Sequence, residues 1–429
     1  MKKICASLLL LVLSVVLIMP QATEAEGKTI FSFRGDLAAE LAFGRDGNLR
    51  IAYHPYDTAV SNQFLPYVIA TVTPEGKQIS SWKGRGLLYR AKDKKGNELL
   101  YVHEQNHRLV AYNAKYQKLW SVGLGKGTWV DRVDRRGNLY VWGSDRQYDL
   151  YWKITADGRK IQYPKAERLD ITLSEDGKYA YQMAAGKDRR QSVLRGLKED
   201  GKIAWQQSPF SKTYKKTKHA FDRAHLVLAD DKGTVYAVAT YGKGRYAELH
   251  AFNLKGKRLW KKDISGTEPL QFGVAGSTLF YESNNDRVVL ADRVNGKTIT
   301  TLKVQRKRGE PLKIFSHDNL IYLADGTGPH TYSNKGRKFG TFKITSGRQE
   351  LGQYTFDQKG RLYAEIFIPG SETKSIGIIS SQGKLVKREN VQKGQTVVSL
   401  APRPDSEDYY VFLWNNSKIT VEKFSLPKK

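Results

Sequence analysis

The chain has 429 residues, with 71 Lys and Arg against 43 Asp and Glu, a formal net charge of +28 and a single cysteine. These values exclude a disulfide-stapled fold and imply attraction to polyanions. The length allows two or three average domains, but a repeat array can use it as one closed body.

In chain order, residues Met1–Ala25 place Lys2 and Lys3 before an apolar run from Ile4 to Met19, then Pro20, with small residues at Thr23 and Ala25. That is the layout of a secretory signal peptide cut before Glu26, and the apolar run is shorter than the roughly 20 residues that span a bilayer. Cys5 precedes the run, wrongly placed for a lipid-modified N-terminus. Loss of Lys2, Lys3 and Glu24 removes two positive charges and one negative, leaving +27 and no cysteine. No later stretch is apolar enough to cross a membrane. The expected product is a soluble monomer, secreted or cell-wall associated.

The remaining 26–429 read as one domain built on a repeating unit, clearest at Ala229–Lys262. A polar turn, Asp230-Asp231-Lys232-Gly233, leads into the run Thr234–Thr240; Ala247–Leu254 follows and closes on Lys255-Gly256-Lys257 before Leu259-Trp260. Alternating runs joined by tight Gly turns predict antiparallel strands. The first turn recurs at Gly47, Gly96, Gly137, Gly177, Gly276, Asn319 and Gly360, the second at Gly76, Tyr116, Gly158, Gly201, Gly296, Gly336 and Gly383. A spacing near 40 residues is that of a four-stranded propeller blade, and no segment has helical period. Trp82, Trp120, Trp205 and Trp260 follow the second turn and suit packing between blades.

A ninth unit begins near Val397 but ends before its Gly-Lys strand, and Gly27–Phe33 matches the missing piece. The expectation is an all-β, closed β-propeller of eight or nine four-stranded blades, with the N-terminal strand completing the last blade and removing the open edge. Gln206–His219 is the expected irregularity, a basic exposed loop.

The stretch Ala251–Trp260 resembles the repeat of quinoprotein-type propellers, as do Leu290–Lys297 and Ala111–Trp120; Tyr101–Val110 resembles the NHL repeat. The resemblance implies an architecture shared by binding proteins, assembly scaffolds, lyases and dehydrogenases, and so implies no single function. Quinoprotein dehydrogenases would call for an adjacent cysteine pair and a calcium-binding acidic cluster, which the sequence lacks; no cofactor is expected.

His103-Glu104-Gln105-Asn106-His107 is a literal H-E-x-x-H, but it lies between two strand-like runs where zinc proteases need a helix. His54 and His103 each sit seven residues past a turn glycine, and some NHL-like lyases gather metal-binding histidines near the axis. Matching positions in the next units are Ser144, Ala184, Thr240 and Ser283, so no metal site is assigned. Gly123–Gly127 precedes a strand rather than a helix and is no phosphate loop; there is no G-x-S-x-G nucleophile.

What remains is charge, clustered at Lys92, Lys94 and Lys95; Lys187, Arg189 and Arg190; Lys212, Lys215, Lys216 and Lys218; and Arg306, Lys307 and Arg308. The sequence therefore predicts a non-catalytic binding or scaffold module at the cell envelope. Its expected partner is an anionic polymer (teichoic acid or acidic polysaccharide) or a protein, and not a specific nucleic-acid sequence. The competing reading is a metal-dependent lyase or hydrolase using His54 and His103.

Overall fold

The computed structural model describes residues 27–34, 36–54, 66–144, 148–165, 170–186, 191–214, 219–264, 271–283, 286–305, 312–325, 327–341, 349–372, 374–415 and 418–426. The proposed signal segment lies outside them, as do most residues of three of the four basic clusters. The described chain is all β: nine antiparallel sheets of four strands each, with no helix among the described residues.

Blades 1 to 8 occupy residues 36–85, 87–123, 129–162, 170–207, 221–264, 272–303, 313–341 and 350–391. Blade 9 takes three strands from 396–425 and its fourth, outermost strand from Lys28–Arg34. Count and closure are thus settled at nine, with the N-terminal strand as the seal. First strands of neighbouring blades touch between blades 2 and 3, 4 and 5, 5 and 6, and 6 and 7, and that of blade 9 touches those of blades 8 and 1, so first strands line the axis and fourth strands form the rim.

Many of the turns follow one design, with exceptions where a glycine, Gly44 or Gly273, takes the capping position in blades 1 and 6. A side-chain oxygen three residues before the glycine accepts two backbone N–H bonds: Asp134 Oδ1 from Arg136 and Asn138 at 2.9 and 2.8 Å, Asp230 Oδ1 from Lys232 and Thr234 at 2.9 Å each. Asn253 and Ser380 do the same for the turn between third and fourth strands. This oxygen satisfies donors that a tight turn would leave to water. Because first-to-second and third-to-fourth turns lie at the same end of a meander, they all gather on one face of the ring, the turn face; the longer loops form the other.

The tryptophans act as seams. Trp120 Nε1–H donates to the Ala156 carbonyl of the next blade at 2.9 Å, Trp205 to Leu254 at 2.5 Å, and Trp260 to Arg293 at 3.0 Å. Each indole lies flat on the next blade's turn glycine, Gly158, Gly256 or Gly296, where an added Cβ would stand 2.7 Å from the ring. At the first seam the glycine is replaced by Tyr116, held at φ 58°, and its ring stacks on Trp82 with centroids 5.3 Å apart. Tyrosine hydroxyls add further ties, Tyr101 to the Gly137 carbonyl and Tyr181 to that of Gly233.

One expectation needs correction. Gln206–His219 is not simply an exposed loop: Tyr214 is buried and Phe210 packs against Phe221 and Phe252, beside the exposed Lys212. The apolar residues in this basic stretch extend the core between blades 4 and 5.

Candidate functional site

His54 ends the second strand of blade 1 (Leu49–His54) and His103 that of blade 2 (Glu98–His103), matching positions on neighbouring blades. Both lie on second strands, one strand out from the first strands. The His54 Nδ1 lies 2.8 Å from the Pro66 carbonyl and is committed to donating there. His103 is buried, and its burial together with the charge of His107 pushes its pKa down. Among the described residues no group of three or more His, Cys, Asp or Glu could hold a metal ion.

The H-E-x-x-H run is a hairpin turn. Glu104 N–H donates to the Arg108 carbonyl at 2.8 Å, His107 N–H to that of Glu104 at 3.0 Å, and His107 sits at φ 60°. The two histidines therefore flank a turn instead of sharing one helical face.

Two buried acid–histidine pairs escaped the sequence reading. In the third strand of blade 5 (Tyr246–Phe252), Glu248 lies 3.2 Å from His250 Nε2 and accepts bonds from Lys261 Nζ at 2.7 Å and the Tyr241 hydroxyl at 3.0 Å. Burial raises its pKa, but the bonds from His250, Lys261 and Tyr241 outweigh burial and hold the carboxyl at about 2. In blade 7, Asp325 meets His330 Nε2 at 3.1 Å and Thr327 Oγ1 at 2.7 Å; burial is again outweighed, and its pKa is about 2. Carboxylates ionised so far below neutrality are weak general bases, so both carboxylates read as locks between strands, Glu248 through Lys261 and Tyr241 and Asp325 through His330. The signal was present: Glu248 and His250, two apart on a strand, share a face.

The feature that stands out is the rim. The residue after the third-to-fourth turn position is an exposed cation in eight of nine blades: Lys28, Lys77, Arg159, Lys202, Lys257, Lys297, Arg337 and Lys384, with Gln117 in blade 2. Further exposed cations lie on the fourth strands themselves, Lys83, Arg85, Lys118, Lys160, Arg258, Lys303, Lys338 and Arg388, and the acids there are only Asp263 and the buried Glu389. The first strands of blades 2 to 9 are balanced, with Arg90, Lys92, Arg132, Arg223 and Lys313 against Asp131, Asp170, Asp222 and Glu350. Lys92, Lys94 and Lys95, the one sequence cluster wholly described, are exposed on the turn face. Nearby turn cations are paired, Arg136 with Glu199 at 2.8 Å and Arg135 with Glu175.

Residues 94–302 match the family model described as outer membrane protein assembly factor BamB. The repeats resemble the PQQ-like type. None of the curated proteins matches the chain. Among solved structures, a eukaryotic initiation factor aligns over 83% of this chain and 94% of its own at 12% identity, with a TM-score of 0.57. BamB from Moraxella catarrhalis aligns over 93% of this chain and 100% of its own at 14% identity, with a TM-score of 0.39. The Myceliophteria thermophila Cps50 (Swd1) propeller domain covers 71% and 99% at 12% identity, with a TM-score of 0.36. At such identities the likeness concerns the fold alone.

Within the PQQ-like repeat, the Gly-Lys dipeptide thus has two roles. The glycine lets the previous blade's aromatic lie against the turn, and the cation after it opens the outer strand at the rim. The sequence reading saw the dipeptide as a turn marker only, because its placement on the circumference depends on strand order within the blade.

Proposed function

We propose that this protein is an exported, non-catalytic binding module whose rim engages an anionic cell-envelope polymer, a teichoic acid or an acidic polysaccharide. The observation that carries the reading is the exposed cation opening eight of nine outer strands, reinforced along those strands with one exposed acid among them. Cations at matching heights on a rigid ring meet a chain of regularly spaced phosphates or carboxylates without a conformational cost, and raise its local concentration. A polymer can follow the circumference and touch several blades at once, so weak single contacts accumulate.

A protein partner is the second reading, favoured by the match of residues 94–302 to a family described as an assembly factor. The metal-dependent lyase reading gains no third ligand for His54 and His103 among the described residues.

The test is binding of poly(glycerol phosphate) at low and moderate ionic strength. Affinity should fall steeply with salt. Replacing Lys77, Lys257, Lys297 and Lys384 with Gln should weaken binding about tenfold or more and flatten the salt dependence. Unchanged binding by this variant would overturn the rim as the site.

A further inference from the structure

The first seam, where Tyr116 stands in place of glycine, opens a cavity of about 440 Å³ on the turn face. At the Trp120, Trp205 and Trp260 seams the indole settles on a glycine instead. Here the Tyr116 ring takes up the stacking on Trp82, and the left-handed backbone of a bulky residue is a strain of the kind that marks binding sites. The walls are mainly apolar, with Ala42 and Ile69 of blade 1 facing Leu99 and Leu100 of blade 2. The volume lies in the range of small-molecule pockets, roughly 300–1,000 Å³.

Arg50 is set into this apolar wall. Arg50 pairs across strands with Ala42, so both side chains stand on the same face, and the arginine side chain is only 11% exposed. Its Nη2 donates to Asp46 Oδ2 at 2.9 Å, while its buried Nη1 has no hydrogen-bond partner among the described residues. The cavity's acids are engaged elsewhere: Glu98 Oε1 accepts the Arg45 N–H at 3.0 Å, and both oxygens of Asp134 accept from its own turn. Arg90, Lys92 and Arg135 add positive charge around the opening.

We propose that this cavity binds a small amphipathic monoanion, an unbranched aliphatic or aromatic carboxylate, with its apolar body against Ile69, Leu99 and Leu100 and its carboxylate on the Arg50 guanidinium, which turns its buried Nη1 out of the wall to meet it. A buried guanidinium donor without an acceptor carries a desolvation cost that an incoming carboxylate removes, and a charge-assisted bond to Arg is among the stronger polar contacts. A neutral ligand of the same shape leaves that donor unmet, so the site discriminates by charge. This inference is independent of the rim, because its ligand is small and none of the lining residues lies on a fourth strand.

Decanoate below its micelle concentration and decanol below its solubility limit are titrated into the purified protein by calorimetry, with tryptophan fluorescence as a second readout. Decanoate should bind one to one, and decanol at least tenfold more weakly. Arg50→Gln should bring decanoate down to the decanol level and leave decanol unchanged. Ala42→Phe, which fills the cavity and keeps Arg50, should abolish both and leave poly(glycerol phosphate) binding intact, which also covers the case in which Arg50→Gln fails to fold. Absence of decanoate binding, equal affinity for the two probes, or indifference to Ala42→Phe would overturn the proposal.

Discussion

The seal of the ring is the place to test the architecture. Phe31 and Phe33 of the N-terminal strand are half-buried against Leu49, Ile51, Phe412 and Val421, at the junction of blades 9 and 1. The Phe33 ring lies 3.9 Å from that of Tyr53 and 5.8 Å from that of Phe412, centroid to centroid. A fully buried Phe→Ala change costs about 3–5 kcal/mol, so at half burial each ring contributes about 2, and the Phe31→Ala/Phe33→Ala variant should lose about 4 kcal/mol. With an unfolding entropy near 2 cal/mol/K per residue, the melting temperature of a chain of this length should fall by about 5 °C. Circular dichroism melts of the double variant and of a chain lacking Gly27–Phe33 provide the measurement, and hydrogen exchange in the second strand of blade 9 (Asp408–Asn415) should accelerate in both. A deletion that melts with the intact chain would refute the seal.

Other outcomes follow from named contacts. Trp260→Phe removes the donor to the buried Arg293 carbonyl and should cost about 1–2 kcal/mol in urea unfolding. Gly296→Ala, at φ +73° with its Cβ 2.7 Å from the Trp260 ring, should cost at least as much. Glu248 and Asp325 titrate at about 2 in the fold against ordinary values of 4.5 and 3.8, so the unfolded chain takes up protons first as pH falls. Their stabilisation is full above about pH 4.5 and is lost as pH drops towards 2; Glu248→Gln should flatten that limb of the stability profile.

The repeats were legible because a tight turn constrains the backbone locally. Gly233 and Gly256 mark φ +80° and +82° positions, and such marks recur along the chain. The closing strand was legible for the same reason, since Gly27-Lys28 repeats the dipeptide that opens other outer strands. The side-chain caps at Asp134, Asp230 and Asn253 could have been found three residues ahead of each glycine. What resists a linear reading arises between blades. The cavity is lined by residues of blades 1, 2 and 3 that come together only in the folded ring, and Trp82 meets Tyr116 only across a seam. His54 and His103 show the converse: sequence placed them correctly at matching positions, but their distance from the axis follows from strand order.

Lys28 pairs with Lys423, which joins nearly the whole length of the chain into one circuit. Closing a loop of that length instead of one about the size of a blade costs only about 2 kcal/mol more in chain entropy, because the cost grows with the logarithm of length. The delay is temporal: eight blades can be complete while blade 9 still lacks its outer strand, and the third strand (Lys418–Ser425) offers an unpaired edge until the N-terminal segment docks. Any segment that detains Gly27–Arg34 during synthesis therefore also holds the ring open, and its release sets the moment at which the circuit closes.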